Sequence, residues 1–175
     1  TFKNMDKDET FRLIDSIIQK YGLSDSEKYG YEYYGCTSAD GLSKYNSEGY
    51  NRLRADFNKM QSKDYGYYIT LYVLIVYSFN NQIRFNKKGE FNLPPGKRDF
   101  NKKMRDKLSA FIDRLKSGDY KFESCDFREL QDEDWNDKTF VYADPPYLIT
   151  CATYNEQDGW NEELEKELLA YLDNL

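Results

Sequence analysis

Apolar residues recur at helical spacing along most of the chain. Phe11, Ile14, Ile17, Ile18 and Tyr21 share one face, and Gly22 stands where a helix stop is expected. Ser47 is placed to cap a helix carrying Tyr50, Leu53 and Phe57. The run Tyr65–Phe79 is apolar nearly all round, the pattern of a buried central helix. Met104, Leu108, Phe111, Ile112 and Leu115 form a further stripe, with Gly118 past its end. Asn161 is placed to cap a last helix bearing Leu164, Leu168 and Leu172. Between these lie an irregular excursion over 24–46, rich in Ser, Gly and Tyr, and a loop or hairpin over 80–100 punctuated by Gly89, Pro94, Pro95 and Gly96. Two β-like runs, Tyr120–Cys125 and Thr139–Ala143, precede the last helix. The second lacks alternation and predicts a strand buried on both faces, as in parallel sheets. No internal repeat or low-complexity linker interrupts the pattern.

Composition narrows the class. A chain of 175 residues suits one domain, or at most two small ones. Charged residues reach 32%, yet 17 Tyr, 11 Phe and 2 Trp supply more ring surface than a disordered chain carries, so a packed core is expected. The longest apolar stretch, Tyr67 to Phe79, includes Thr70 and falls short of the roughly 20 residues a bilayer helix needs. With no histidine, the usual zinc sites and every Ser-His or Cys-His nucleophilic device are excluded. Cys36, Cys125 and Cys151 are odd in number and widely spaced, which makes neither a disulfide framework nor a Cys-x-x-Cys metal site. No metal is therefore expected. The absence of a basic-then-apolar leader, with this cysteine usage, gives a reduced cytoplasmic compartment as the expectation.

The net charge of −6 argues against a protein that coats nucleic acid indiscriminately, but the charge is unevenly spread. Arg84, Lys87, Lys88, Lys97, Arg98, Lys102, Lys103, Arg105 and Lys107 face three acids between positions 84 and 107, whereas fifteen acids face four bases from Lys121 onward. A local basic segment can bind phosphate inside an acidic chain, because attraction follows local potential. On charge alone, the solvated face of a helix and its entry loop is the commoner explanation.

Directly after the predicted buried strand comes Asp144-Pro145-Pro146-Tyr147. Open α/β sheets place ligands at the carboxyl ends of their strands. Two successive prolines remove two N–H donors and stiffen the backbone, so neighbouring carbonyls can point outward. A carboxylate, an outward carbonyl and an aromatic face suit a planar ring bearing an exocyclic amine: Asp144 and the Pro145 carbonyl accept its hydrogens, and Tyr147 stacks on the ring. The bland alternative is a strand ended by an ordinary Pro-Pro turn.

This tetrapeptide, with Tyr50–Asn58 (Tyr-Asn-Arg-Leu-Arg-Ala-Asp-Phe-Asn) and Phe79–Gly96 (Phe-Asn-Asn-Gln-Ile-Arg-Phe-Asn-Lys-Lys-Gly-Glu-Phe-Asn-Leu-Pro-Pro-Gly), resembles the Dam-type N6-adenine DNA methyltransferases. The resemblance implies an α/β fold: a partial Rossmann-like methyltransferase sheet with an inserted, mainly helical target-recognition domain. It divides the chain into a core helix over 1–22, the recognition domain over 23–118 with its hairpin at 80–100, and a catalytic-core segment over 119–175. The implied activity is site-specific methylation of adenine N6 in duplex DNA, with S-adenosylmethionine as donor, the base flipped out and a GATC-like site as target. Asp144, Pro145, Pro146 and Tyr147 would be catalytic, and Asp144, Asp126 and Phe127 would contact the donor. Asn80, Gln82, Arg84 and Pro94 match base-reading positions, and Phe79 an aromatic that fills the gap left by the flipped base. Arg54, Asn86, Asn92 and Lys97 match phosphate contacts. Gln82 departs from the leucine of the GATC-specific pattern.

The chemistry is expected to need no histidine, since the donor's methyl is already activated and alignment is the main task. None of the ten glycines forms the family's Gly-x-Gly donor loop, so the chain is expected to be an internal fragment, poor in donor affinity and inactive alone. The expected setting is a monomer in bacterial or phage-type cytoplasm, associated with the nucleoid, off the membrane, with a cognate restriction endonuclease as partner. Three alternatives stand beside this: a DNA-binding module without catalysis; methylation of an RNA adenine or a protein glutamine; and a sugar-binding or interaction domain built on the tyrosines of 29–34.

Overall fold

The computed structural model describes residues 6–130, 135–136, 138–146 and 160–174. It contains two compact units, Thr1–Tyr120 and Lys121–Leu175. In the first, α1 (Lys7–Tyr21), α3 (Leu42–Phe57) and α4 (Tyr65–Tyr77) pack on one another, with a short α2 (Ser26–Tyr29) between them in sequence and α5 (Lys102–Ser117) closing the unit. Among its described residues the second contains α6 (Glu162–Asp173) and one 3-10 turn, Phe127–Glu129.

Local chemistry sets the helix ends. The carboxylates of Asp6 and Asp64 and the amide oxygens of Asn101 and Asn161 accept backbone N–H bonds at the starts of α1, α4, α5 and α6. Gly22 ends α1 at φ 65°, a left-handed conformation that glycine adopts without strain. The second predicted start is corrected: α3 begins at Leu42, and Ser47 lies inside it. Burial of Leu42 and Asn46 extends the buried face one turn earlier than periodicity from Tyr50 suggests.

The core of the first unit joins Ile14 and Ile18 of α1, Tyr50, Leu53 and Phe57 of α3, and Ile69, Val73, Leu74 and Tyr77 of α4. Phe91, Leu93 and Phe100 from the connecting segment, with Leu108 and Ile112 of α5, complete it. The all-round apolar α4 is central, as its pattern requires. The excursion over 24–46 is held from inside. Ser24 N donates to Asn46 Oδ1 at 2.7 Å, Asn46 Nδ2 to Ser24 Oγ at 3.0 Å and Tyr77 Oη to the Ser24 carbonyl at 2.6 Å. Fully buried Asp99 accepts from Ser26 N at 2.7 Å, Ser26 Oγ at 2.9 Å and Ser24 Oγ at 3.3 Å. Burial among these neutral donors holds its carboxyl above the usual range despite the hydrogen bonds.

Neither β-like run forms a strand. Tyr120–Cys125 is irregular, and 139–143 has no ladder partner among the described residues. Phe140 and Tyr142 are 88% and 78% exposed, the opposite of the double-faced burial expected. A strand's N–H and C=O groups need a neighbouring strand, and the described residues of this unit offer none. The Rossmann-like sheet is therefore absent among the described residues. Among the described residues extended pairing is confined to two isolated antiparallel bridges, Ser78 with Pro95 and Phe85 with Phe91, both at the predicted hairpin region.

Candidate nucleic-acid interface

The segment from Ser78 to Gly96 is a hairpin built from few hydrogen bonds. Asn92 N donates to the Arg84 carbonyl at 3.2 Å and Asn86 N to the Glu90 carbonyl at 2.9 Å. At its base Phe79 N reaches the Pro94 carbonyl at 2.9 Å and Gly96 N the Tyr77 carbonyl at 2.7 Å. Gly96 is obligatory by contact: a Cβ there would lie 2.1 Å from the Ser78 carbonyl oxygen. The tip is closed by Asn86. Its Oδ1 accepts from Lys88 N at 2.9 Å and Glu90 N at 3.0 Å, its Nδ2 donates to Glu90 Oε2 at 2.8 Å, and its carbonyl accepts from Gly89 N at 2.8 Å. Gly89 sits at φ 76°, so the turn uses glycine's access to the left-handed region.

Helix α3 fixes the hairpin from behind. Asn58, its C-cap, donates from Nδ2 to the Phe91 carbonyl at 3.1 Å and accepts from Phe91 N at 2.8 Å. Arg54 Nη1 donates to the Leu93 carbonyl at 2.7 Å, and buried Tyr50 Oη donates to the same oxygen at 3.1 Å. Burial pushes the Tyr50 phenol well up, so it stays a donor. The side chains of one helix thus occupy backbone groups that a further strand would otherwise take. Tyr50, Arg54 and Asn58 are spaced i, i+4, i+8. That spacing is visible in the sequence, but nothing in it links Tyr50 and Asn58 to the hairpin backbone they hold.

The candidate DNA contacts distribute unevenly on this mount. Phe79 is 47% exposed, Asn80, Pro94 and Lys97 are exposed, and Ile83 joins them as an exposed apolar residue. Gln82, Arg84, Asn86 and Asn92 are half-buried. Arg84 reaches across the hairpin, donating from Nε to Asn92 Oδ1 at 2.7 Å and from Nη2 to the Asn92 carbonyl at 3.2 Å. Those bonds orient the guanidinium and use two of its five N–H groups. Lys97 pairs with Asp40 at 3.1 Å, both side chains being exposed, an interaction weak enough to exchange for a phosphate. Arg105 differs: it is enclosed by Asp15, Asp25 and Glu27 and lies over the Phe100 ring, so part of the basic segment is structural.

The second unit carries the other candidates. Asp126 Oδ1 caps its 3-10 turn through Arg128 N at 3.0 Å, and both carboxylate oxygens accept from the Arg128 guanidinium at 2.8 Å. Those bonds hold the Asp126 carboxyl down to about 2. Arg128 Nη1 also donates to Glu167 Oε2 at 3.0 Å, tying the turn to α6. The Phe127 ring packs 6.2 Å from both Trp160 and Tyr171. Asp144 is exposed, Pro145 and Pro146 are half-buried, and Tyr147 lies outside the described residues, as does Cys151. Among the described residues no group of three or more Cys, Asp or Glu side chains is placed to hold a metal ion, and no helix is long and apolar enough to cross a membrane.

Known proteins match this chain along most of its length. It is 33% identical over 176 residues to modification methylase LlaI of Lactococcus lactis subsp. lactis, covering 98% of this chain and 24% of that protein. It is 38% identical over 181 residues to the type II methyltransferase M.FokI of Planomicrobium okeanokoites, covering 100% of this chain and 24% of the relative. Similarity to the DNA adenine methylase of Escherichia coli (strain K12) is 33% over 110 residues, 62% of this chain and 38% of that protein. The chain thus spans about a quarter of the length of the first two relatives. The family model described as D12 class N6 adenine-specific DNA methyltransferase matches residues 17–175. With nearly the whole chain inside that match, the protein belongs to the D12 class of N6 adenine-specific DNA methyltransferases.

Proposed function

We propose that this chain is the DNA-reading and acceptor-holding part of a site-specific DNA adenine N6-methyltransferase. The observation that carries the reading is the mounted hairpin. Its backbone is clamped by Asn58, Arg54 and Tyr50 while Phe79, Asn80, Ile83, Pro94 and Lys97 face solvent. An aromatic wedge, amides and a guanidinium on a rigid support, with lysines beside them, suit a duplex: base edges take the amides and Arg84, and phosphates take Lys97. Arg84 on guanine O6 and N7, with Asn80, Gln82 and Pro94 beside it, supports a short GATC-like target. Residues 23–118 are proposed as the recognition domain and 119–175 as the catalytic segment.

On the acceptor side, Asp144 and the Pro145 carbonyl accept the two hydrogens of a flipped adenine's amino group while Tyr147 stacks on the ring. This draws the N6 lone pair away from the ring and orients it for transfer. Flipping costs a few kcal/mol, and Phe79 offsets it by filling the vacated stack. S-adenosylmethionine supplies an electrophilic methyl group when bound. Asp126 fits such a donor chemically: its carboxylate is ionised, and three N–H donors from Arg128 leave acceptor capacity for a hydroxyl or amine. Phe127 beside it supplies an aromatic edge. As with relatives named modification methylases, the proposed setting is a restriction–modification system in the cytoplasm.

Methyl transfer from labelled S-adenosylmethionine, measured with the protein in its full reading frame on duplex DNA, RNA and a glutamine peptide, tests this reading. Duplex DNA alone should accept, and Asp144→Ala should abolish transfer with DNA binding retained. Near-normal turnover by that variant removes Asp144 from the reaction. Duplex binding without transfer by the unaltered protein leaves a DNA-binding module.

A further inference from the structure

Two consecutive asparagines between α4 and the hairpin adopt left-handed backbone, Asn80 and Asn81, each at φ 54°. For residues other than glycine this conformation costs on the order of 1 kcal/mol, asparagine tolerating it better than most. It persists only where the surroundings over-determine it, and here they do. Asn81 Nδ2 donates to the carbonyl of Val76 at 2.6 Å, with Ile75 O at 3.4 Å. Asn81 N donates to the Ser78 carbonyl at 3.2 Å and Gln82 N to the Phe79 carbonyl at 3.4 Å. Ser78 Oγ lies 2.9 Å from the Ile75 carbonyl and 3.1 Å from the Gln82 carbonyl, closing the same turn. The last carbonyls of a helix lack intrahelical donors, so the half-buried Asn81 amide caps α4 while fixing the residues beside it.

Those neighbouring residues are the outward ones. Phe79 is 47% exposed and Asn80 is exposed, although Phe79 N is tied to the hairpin base through the Pro94 carbonyl. The backbone that carries this exposed ring is therefore fixed before any partner arrives. We propose that Asn81 is a positioning residue: by capping α4 with its side chain it locks the double left-handed turn and presents Phe79 and Asn80 preformed to a DNA duplex. The proposal rests on the reading of the hairpin as a DNA-contacting surface. Presentation in advance spares the complex the cost of ordering the turn on binding. Contacts to phosphate by Lys97, outside this turn, do not depend on it.

The full chain is compared with Asn81→Gly and Asn81→Asp by fluorescence anisotropy. Glycine keeps the left-handed backbone without strain and deletes the cap. Aspartate keeps the shape and tolerance for that backbone but sets a carboxylate against helix carbonyls. The probes are a short duplex enriched by the unaltered chain from a randomised pool and a scrambled duplex of the same composition. Both variants should lose about tenfold in affinity for the enriched duplex, with scrambled-duplex affinity and its salt slope unchanged and the melting temperature lowered only by the loss of one cap. Full retention of discrimination by Asn81→Gly overturns the proposal and leaves DNA reading intact. Equal losses on both duplexes also overturn it, since they mark a merely structural role. Should Asn81→Asp fail to fold, Asn81→Gly decides alone. Absence of any sequence preference in the unaltered chain removes both the reading and the proposal.

Discussion

The two units of the chain differ in how far they bury their aromatic residues. In the first, Tyr50, Tyr77, Phe91 and Phe100 are among the largest fully buried side chains, and all four belong to one core cluster. In the second, Phe122, Phe140 and Tyr142 lie in water, and α6 buries only Leu168 among its described residues. A helix that buries one residue gains little from packing. It is held by the Asn161 cap, the Phe127–Tyr171 ring contact and the Arg128–Glu167 ion pair, the last of modest worth on an exposed surface. The contrast shows where stability resides: the first unit contains its own core, whereas the second holds Asp144 on an exposed stretch with no strand pairing among the described residues.

Gly96→Ala should strain this contrast most. Its Cβ would meet the Ser78 backbone rather than a side chain that can swing away, so a loss of about 4 kcal/mol is expected. Urea unfolding followed by tyrosine fluorescence reads it, and a loss below a quarter of that would mean the hairpin base gives way cheaply. Asn58→Ala should follow, at about 3 kcal/mol, because it strands both the N–H and the carbonyl of Phe91. Leu168→Ala should cost about 2 kcal/mol, read as faster amide exchange along α6 with the first unit's amides unchanged. Acceleration in both units would end their description as separate bodies.

The buried carboxyl of Asp99 sharpens the comparison through pH. Its folded pKa lies above the 3.8 of a free carboxyl, so the unfolded chain releases this proton first. The stability Asp99 contributes is full below about 3.8 and is lost as pH rises through the folded value. Asp99→Asn should therefore gain in melting temperature relative to the unaltered chain as pH rises from mildly acidic to neutral. A difference independent of pH would place the charge elsewhere. The smallest effect belongs to the second unit: Phe140→Ser should change stability by less than about 0.5 kcal/mol, since the ring is already in water. A larger loss in the same urea titration would show that 139–143 is packed after all.

Legibility in the sequence follows the same division. Helices α1, α4, α5 and α6 are readable because their apolar spacing, the cap at Asn161 and the stops at Gly22 and Gly118 are local signals, whereas the Asn101 cap of α5 emerges only in the structure. The start of α3 was misplaced because Ser47 has the chemistry of a cap, while the burial of Leu42 is a tertiary fact. The strand over 139–143 failed for a related reason. Thr-Phe-Val-Tyr-Ala encodes a preference for extended backbone, but a strand is a property of a pair. The hairpin was legible from Gly89, Pro94 and Gly96 together with the family resemblance. Its attachment to α3 was not, since the Phe91 and Leu93 groups being grasped are main chain and carry no signature of their own.

That main-chain attachment has an evolutionary consequence. Asn58, Arg54 and Tyr50 hold peptide groups, so the mount is indifferent to which side chains the hairpin displays. Residues at Gln82 and Pro94 can be exchanged without disturbing those bonds, as long as Gly89, Gly96 and the left-handed Asn80-Asn81 turn keep the path of the chain. Such a hairpin behaves as a replaceable cartridge: new preferences for partners can be explored one position at a time while the frame that carries them stays folded.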